Sequence, residues 1–248
     1  MARSLRLTAA GSGLAESRIR SFAPLEGLRQ RESDGCSLPG VAHKAALLEP
    51  WEPAGLGDVT AVFSATEAPW WIAGGYAIEL AVGRAFRQHD DIDVLLLRRD
   101  QLEVQRLLPG WEWWAADPPG TLRPWNAAEI LPAGVHDIWC RPGPSQPWRI
   151  QVMLDEVDGE AWVSRRDNRI RLPAARIGAR SADGIPYLLP EIQLFYKAAR
   201  RRPKDEQDLD AAIGILDGDQ RGWLSGAIAT AYGDHPWQAR LTAPVAES

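Results

Sequence analysis

The chain has 248 residues, enough for one ordinary domain with an appendage and too few for two full domains. Hydrophobic residues make up 45% and charged residues 25%, with a net charge of −5, so a packed core is available and a general grip on nucleic-acid polymers or anionic membranes is not expected. Cys36 and Cys140 form neither a disulfide framework nor a zinc cluster, and no apolar run is long enough to span a bilayer, which points to a reducing cytoplasm.

Residues 1–45 mix arginines such as Arg18 and Arg20 with acids such as Glu16 and Glu26 and show no sustained periodicity, so they read as a flexible extension. Asp58, with Val59, Val62 and Phe63 behind it, has the cap and spacing of a short amphipathic helix. Pro69 to Ala73 is a compact apolar strand closed by Gly74-Gly75, and Tyr76 to Val82 has helical propensity. After a polar turn from Arg84 to Asp90, Asp91 to Leu97 reads as a buried strand with two carboxylates at its mouth. Asp100 to Leu108 fits a second amphipathic helix. Val135–Cys140 and Trp148–Leu154 flank a proline- and glycine-rich turn and predict a hairpin, joined beyond Asp158-Gly159 by a run from Glu160 to Ser164. The tail is helical in character: a helix opening at Pro190-Glu191, then Leu209–Leu216 and Trp223–Ala231.

The chemistry concentrates between residues 71 and 93. A strand ending in two glycines lets the backbone approach a bulky anion, and the next helix points its N-terminal amides and positive dipole end at it. That is a phosphate cradle. On the following strand Asp91 and Asp93, two apart, project from one face and suit shared magnesium, which takes one or two protein carboxylates and completes its octahedron with water and phosphate oxygens. Two such ions would stabilise the attacking and leaving oxygens of a displacement at phosphorus. Neither a P-loop nor a G-x-S-x-G elbow is present.

The residues Trp71, Ile72, Gly74, Gly75, Ala77, Ile78, Gly83, Arg84, Arg87, His89, Asp90, Asp91, Ile92 and Asp93 together resemble the signature of polymerase-β-like nucleotidyltransferases, in the branch containing aminoglycoside and lincosamide nucleotidyltransferases. Tyr76 and Glu79 depart from it, standing where that branch has Trp and often Asp. The resemblance implies an α+β fold: a small mixed β-sheet core flanked by helices over residues 46–175, with a helical C-terminal region over residues 176–248. It implies transfer of a nucleoside monophosphate, by analogy AMP from ATP, to a hydroxyl of a small molecule, an aminoglycoside-like antibiotic being the candidate, with release of pyrophosphate. Asp91 and Asp93 would hold two Mg2+, and Gly74, Gly75, Arg84 and Arg87 would bind the nucleotide.

Such enzymes place a third acid on a neighbouring strand, where it binds metal and takes a proton from the acceptor. Gln151, Met153 and Asp155 share one face by alternation; the most motif-like slot holds the amide of Gln151, so Asp155 is the first choice as catalytic and metal-binding acid, with Asp137 and Glu156 as alternatives. Lys197 is placed to reach the triphosphate, while Arg200 to Arg202 read rather as a solvated basic turn before Lys204-Asp205 and Asp208. Glu112, Asp117 and Glu129 are available to a polycationic acceptor, and Trp111, Trp113, Trp114 and Trp125 to a stacking pocket, although core packing is the default for these tryptophans. Two rival readings remain: a protein-modifying nucleotidyltransferase of the antitoxin type, and a degenerate nucleotide-binding fold suggested by Gln151.

Overall fold

The computed structural model describes residues 49–243, so the expected extension at residues 1–45 lies outside the described residues. Among the described residues there are seven α-helices and ten short strands. The strands are β1 (Trp70–Ala73), β2 (Asp93–Leu97), β3 (Glu112–Ala116), β4 (Leu122–Pro124), β5 (Asp137–Arg141), β6 (Ile150–Asp158), β7 (Ala161–Val163), β8 (Arg171–Pro173), β9 (Gly178–Arg180) and β10 (Pro186–Leu188). The helices are α1 (Leu56–Phe63), α2 (Gly74–Val82), α3 (Glu103–Leu107), α4 (Pro190–Ala198), α5 (Pro203–Ala212), α6 (Gly218–Tyr232) and α7 (Pro236–Thr242).

Eight strands form the main path in the order β4-β3-β5-β6-β2-β1-β10-β9, and β7 joins the far end of β6 and pairs with β8. The sheet is mixed: β2 runs parallel to β6 and β1 to β10, whereas β1–β2 and β5–β6 are antiparallel. This is the α+β arrangement expected of the sequence.

Period-2 alternation sorts the central strands between two cores. Ile72, Val94, Leu96, Val152 and Leu154 face one layer with α1 and α3. Ala73, Leu95, Leu97 and Met153 face the other, where Phe195, Leu224 and Trp237 of the C-terminal helices cover them. Each of these large side chains, buried, contributes about 1.5–3 kcal/mol through removal of apolar surface from water. Helix α4 is buried along its whole length, and Pro190 at its first turn fits a position whose amide needs no helical partner. Polar residues on a helix so enclosed need partners. Glu191 accepts from Gln220 and Gln193 accepts from the amide of Gly74, and Lys197 lies beside Asp208.

Several element ends differ from the sequence expectation. Helix α2 begins at Gly74 rather than Tyr76, with no loop after β1, because Gly74 at φ +66° turns the chain directly from strand to helix. Strand β2 begins at Asp93, so Asp91 lies in the approach to the strand and not on it. The helix expected over Asp100–Leu108 contracts to Glu103–Leu107 behind a 3-10 turn at Arg98–Asp100. Two unanticipated strands, β9 and β10, occupy the start of the region read as helical, and the helices begin at Pro190. The helix expected over Leu209–Leu216 is α5, which starts earlier because Asp205 caps it by accepting from the amide of Arg202.

Candidate active site

The ends of β1, β2 and β6 meet the start of α2 at one edge of the helix-covered face. In register, Ala73 lies opposite Asp93 and Asp93 opposite Gln151, while on the next strand Trp139 faces Gln151 and Asp137 faces Met153. A cavity of about 430 Å³ opens here, lined by Gly74, Asp91, Asp93, Asp137, Gln151 and Lys197 among others.

Each glycine of the pair makes room for a different neighbour. A Cβ at Gly74 would collide with the carboxylate of Asp93, and one at Gly75 with Arg87 and His89. Gly74 therefore lies against the aspartate and lines the cavity, whereas Gly75 is packed under the turn that precedes it. The Gly74 amide donates to Oε1 of Gln193 at 2.8 Å, which ties α4 to the strand-to-helix corner. The turn is fastened from α2: Oε1 of Glu79 accepts from the amides of Phe86 at 2.9 Å and Arg87 at 3.2 Å and lies 3.1 Å from Nε2 of His89. His89 stacks on Tyr76 with ring centroids 4.1 Å apart. Burial pushes the His89 imidazole below its usual range, and the nearby Arg87 adds to the effect. Glu79 and Tyr76, the two departures from the signature, thus both hold the turn leading to Asp91.

Asp93 is the electrostatic focus. Burial, followed by the Asp91 charge, pushes its carboxyl up to about 7, and Lys197 opposes that rise. Lys197, almost fully buried, places Nζ 2.7 Å from Asp208 and 3.7 Å from Asp205. Asp208 also receives Arg87 in a bidentate pair, Nε at 2.7 Å and Nη2 at 3.0 Å. Asp208 therefore links the signature turn to the C-terminal helices.

Of the residues proposed from sequence, the structure brings Gly74, Asp91, Asp93 and Lys197 to one cavity. Gly75 and Arg87 lie in the packing behind it, and Arg84 is exposed on the turn. Asp155, the first choice for the third acid, is a correction. It shares the face of Asp93 but pairs with Leu97, four residues further along the strands, a displacement of about 13 Å. There it is fully buried and accepts from Trp162 Nε1 at 2.7 Å and Tyr196 OH at 2.8 Å. Glu156 is held by Arg98. Asp137 does line the cavity; its Oδ1 accepts from Gln151 Nε2 at 3.2 Å and lies 3.6 Å from Arg165. Gln193, Arg165 and Arg166 were not singled out from sequence, and Arg200 and Arg202, read as solvated, also line the cavity.

Acids clustered beside a glycine corner at the edge of a mixed sheet resemble the arrangement of polymerase-β-like nucleotidyltransferases. A family model described as aminoglycoside-2''-adenylyltransferase matches residues 55–111, the stretch that carries α1, β1, α2, β2 and α3. Curated 2''-aminoglycoside nucleotidyltransferases from Klebsiella pneumoniae and Escherichia coli are 28% and 29% identical over 146 residues, covering 46% of this chain and 81% of each relative. Among solved structures, the antibiotic-resistance factor ANT(2'')-Ia aligns with a TM-score of 0.46 at 18% identity over 71% of this chain and 90% of that one. A lincosamide antibiotic adenylyltransferase with lincomycin bound aligns with the same TM-score at 15% identity over 65% of this chain and 96% of that one. The signature at residues 71–93 and the family match both make the chain similar to the aminoglycoside and lincosamide nucleotidyltransferase branch. Among the described residues no helix is long and apolar enough to cross a membrane.

Proposed function

We propose that this protein transfers a nucleoside monophosphate, with ATP as donor, to a hydroxyl of a small-molecule antibiotic and releases pyrophosphate. The observation that carries the reading is the convergence of Gly74, Asp91, Asp93, Asp137 and Lys197 on one cavity. The curated relatives, named for aminoglycosides, support an antibiotic as acceptor.

The donor set fits magnesium. Asp93 is an acid whose ionisation is held back by burial and by its neighbour Asp91, an arrangement that a divalent cation relieves. Among the described residues no three acidic, histidine or cysteine side chains converge as a self-sufficient metal cage. That suits an ion held by two carboxylates and completed by the phosphates of its substrate. Bound by Asp91 and Asp93, magnesium supplies charge neutralisation for the phosphate oxygens.

The chain's own residues do the rest. Gln151 and Arg165 orient Asp137, which takes the proton of the acceptor hydroxyl as its oxygen bonds to the α-phosphorus. The bond from that phosphorus to the α,β-bridging oxygen breaks, and pyrophosphate leaves with the bonding pair. Lys197, Arg200 and Arg202 line the same cavity and offset the charge of the leaving group. Lys197 is fixed for this task by Asp208, which Arg87 holds in turn.

Pyrophosphate release measured with ATP, magnesium and a panel of antibiotics tests the reading. The expected result is acceptor-dependent release that falls ~10³-fold in Asp93→Asn. Failure of every acceptor to stimulate release above the Asp93→Asn level rejects it.

A further inference from the structure

Resting on the transfer reading above, we propose that the acceptor is a hydroxylated ring compound carrying at most one positive charge, seated on the indole of Trp139, and that the cleft disfavours polycations. Trp139 is half-buried and lines the same cavity as Asp93. Its register opposite Gln151, which in turn lies opposite Asp93, sets it two strands, or about 10 Å, from the reacting end. One sugar or drug ring fills that interval. The indole is held in place by two neighbours: Trp51 meets it edge-on at 5.0 Å and Trp148 at 5.5 Å. A ring fixed in this way offers a stacking face without an ordering cost at the moment of binding.

Charge argues the same way. The three acids available to a polycation in the sequence are all engaged. Glu112 accepts from Arg141 at 2.6 Å, Asp117 from Arg123 at 2.9 Å, and Glu129 from the same arginine at 2.7 Å. In the cavity wall itself, Asp91 and Asp93 would be taken up by the metal, Asp205 is bonded to Arg202, and Asp137 lies against Arg165. Five cations, Arg165, Arg166, Lys197, Arg200 and Arg202, line the cavity against those four carboxylates. Magnesium and the cavity's surplus cation together offset most of the charge of a nucleoside triphosphate, so the loaded cleft keeps little net negative potential to draw in a polycation.

The test is binding to the full chain with magnesium and a nonhydrolysable ATP analogue, measured by calorimetry at physiological salt with two probes. Lincomycin carries one amine and a hydroxylated sugar ring, and tobramycin carries five amines. The expected result is lincomycin binding at least 10-fold tighter than tobramycin. Trp139→Ala should weaken lincomycin at least 10-fold while leaving the ATP analogue unchanged, with Trp139→Phe intermediate and a melting temperature for each variant showing that it is folded. Tighter tobramycin binding, no binding of either probe, or no effect of a folded Trp139 variant overturns the proposal. So does a Trp139→Ala loss confined to the ATP analogue, which would seat the nucleotide base on the indole. Pyrophosphate release with tobramycin alone would sink this inference and leave the transfer reading standing, whereas a protein that binds lincomycin without any release would do the reverse.

Discussion

Two acids on the same face of the sheet, Asp93 and Asp155, sit in opposite environments. Asp93 begins β2 at the open edge, against Gly74 and within reach of Asp91 and Lys197 electrostatically. Asp155 lies four registers further in, fully buried, with Trp162 and Tyr196 donating to one oxygen and Arg165 3.8 Å from the other. The first is a carboxylate whose charge awaits a mobile partner; the second has fixed donors from β7 and α4. Alternation along a strand decides which face a side chain takes, but only distance along the strand decides whether it meets solvent and substrate. Arg165 spans the two regions, near Asp137 at the cleft and Asp155 beneath it, and stacks over Tyr196 at 5.0 Å.

The contrast breaks most visibly on paired substitutions. Asp137→Asn should lower kcat by roughly 10²–10³-fold, the scale of a lost general base, with the melting temperature almost unchanged. Asp155→Ala should instead destabilise the fold by about 3–5 kcal/mol, because Tyr196 and Trp162 lose their acceptor and Arg165 its nearby counter-charge inside the core. Steady-state kinetics and thermal unfolding on both variants read the two effects separately. If Asp155→Asn abolished turnover with an unchanged melting temperature, the assignment of the two acids would have to be exchanged.

A smaller effect sharpens how the edge is held. Arg87→Lys keeps the charge but loses the two-pronged bond to Asp208, leaving Lys197 less firmly placed. The expected outcome is a KM for the nucleotide raised ~10-fold, on the scale of lost supporting hydrogen bonds around a site, with the acceptor KM unchanged. An equal change in both constants would show that Asp208 organises the whole cleft rather than the nucleotide side.

These tests also mark where the sequence was readable. The strand, glycine corner, helix and acidic strand mouth follow from local patterning, since every part lies within residues 71–93 and each residue type has a local reason. Gln193 was not readable, because its partner Gly74 is 119 residues away and an amide on a helix carries no signal of what it faces. Arg165 was invisible for the same reason: its position after β7 acquires meaning only when β7 folds back on β6. Asp137 stood among the alternatives, yet only the pairing of β5 with β6 brings it beside Met153 and into the cavity. The strands β9 and β10 escaped because three-residue segments such as Gly178–Arg180 have no measurable periodicity. The acids Glu112, Asp117 and Glu129 looked free in one dimension and are arginine partners in three.

The smallest expected effect is in the pH dependence of the metal-free protein. The Asp93 carboxyl is raised to about 7 in the folded chain, by burial first and the Asp91 charge second, against an ordinary value near 4 when unfolded. Between those values the folded state holds a proton that the unfolded state has released, so stability falls as pH rises through this window and is lowest above it. Asp93→Asn removes the ionisation and with it the penalty. In chelator, the variant should therefore melt several degrees above the parent at pH 8, and the gap should close towards pH 4. Magnesium with ATP should reverse the order at pH 8, because bound ligand stabilises only the chain that retains the carboxylate. A gap that stayed constant from pH 4 to pH 8 would mean that Asp93 is not the strained acid, and that the cleft and the buried cluster around Asp155 differ less in electrostatics than their geometry requires.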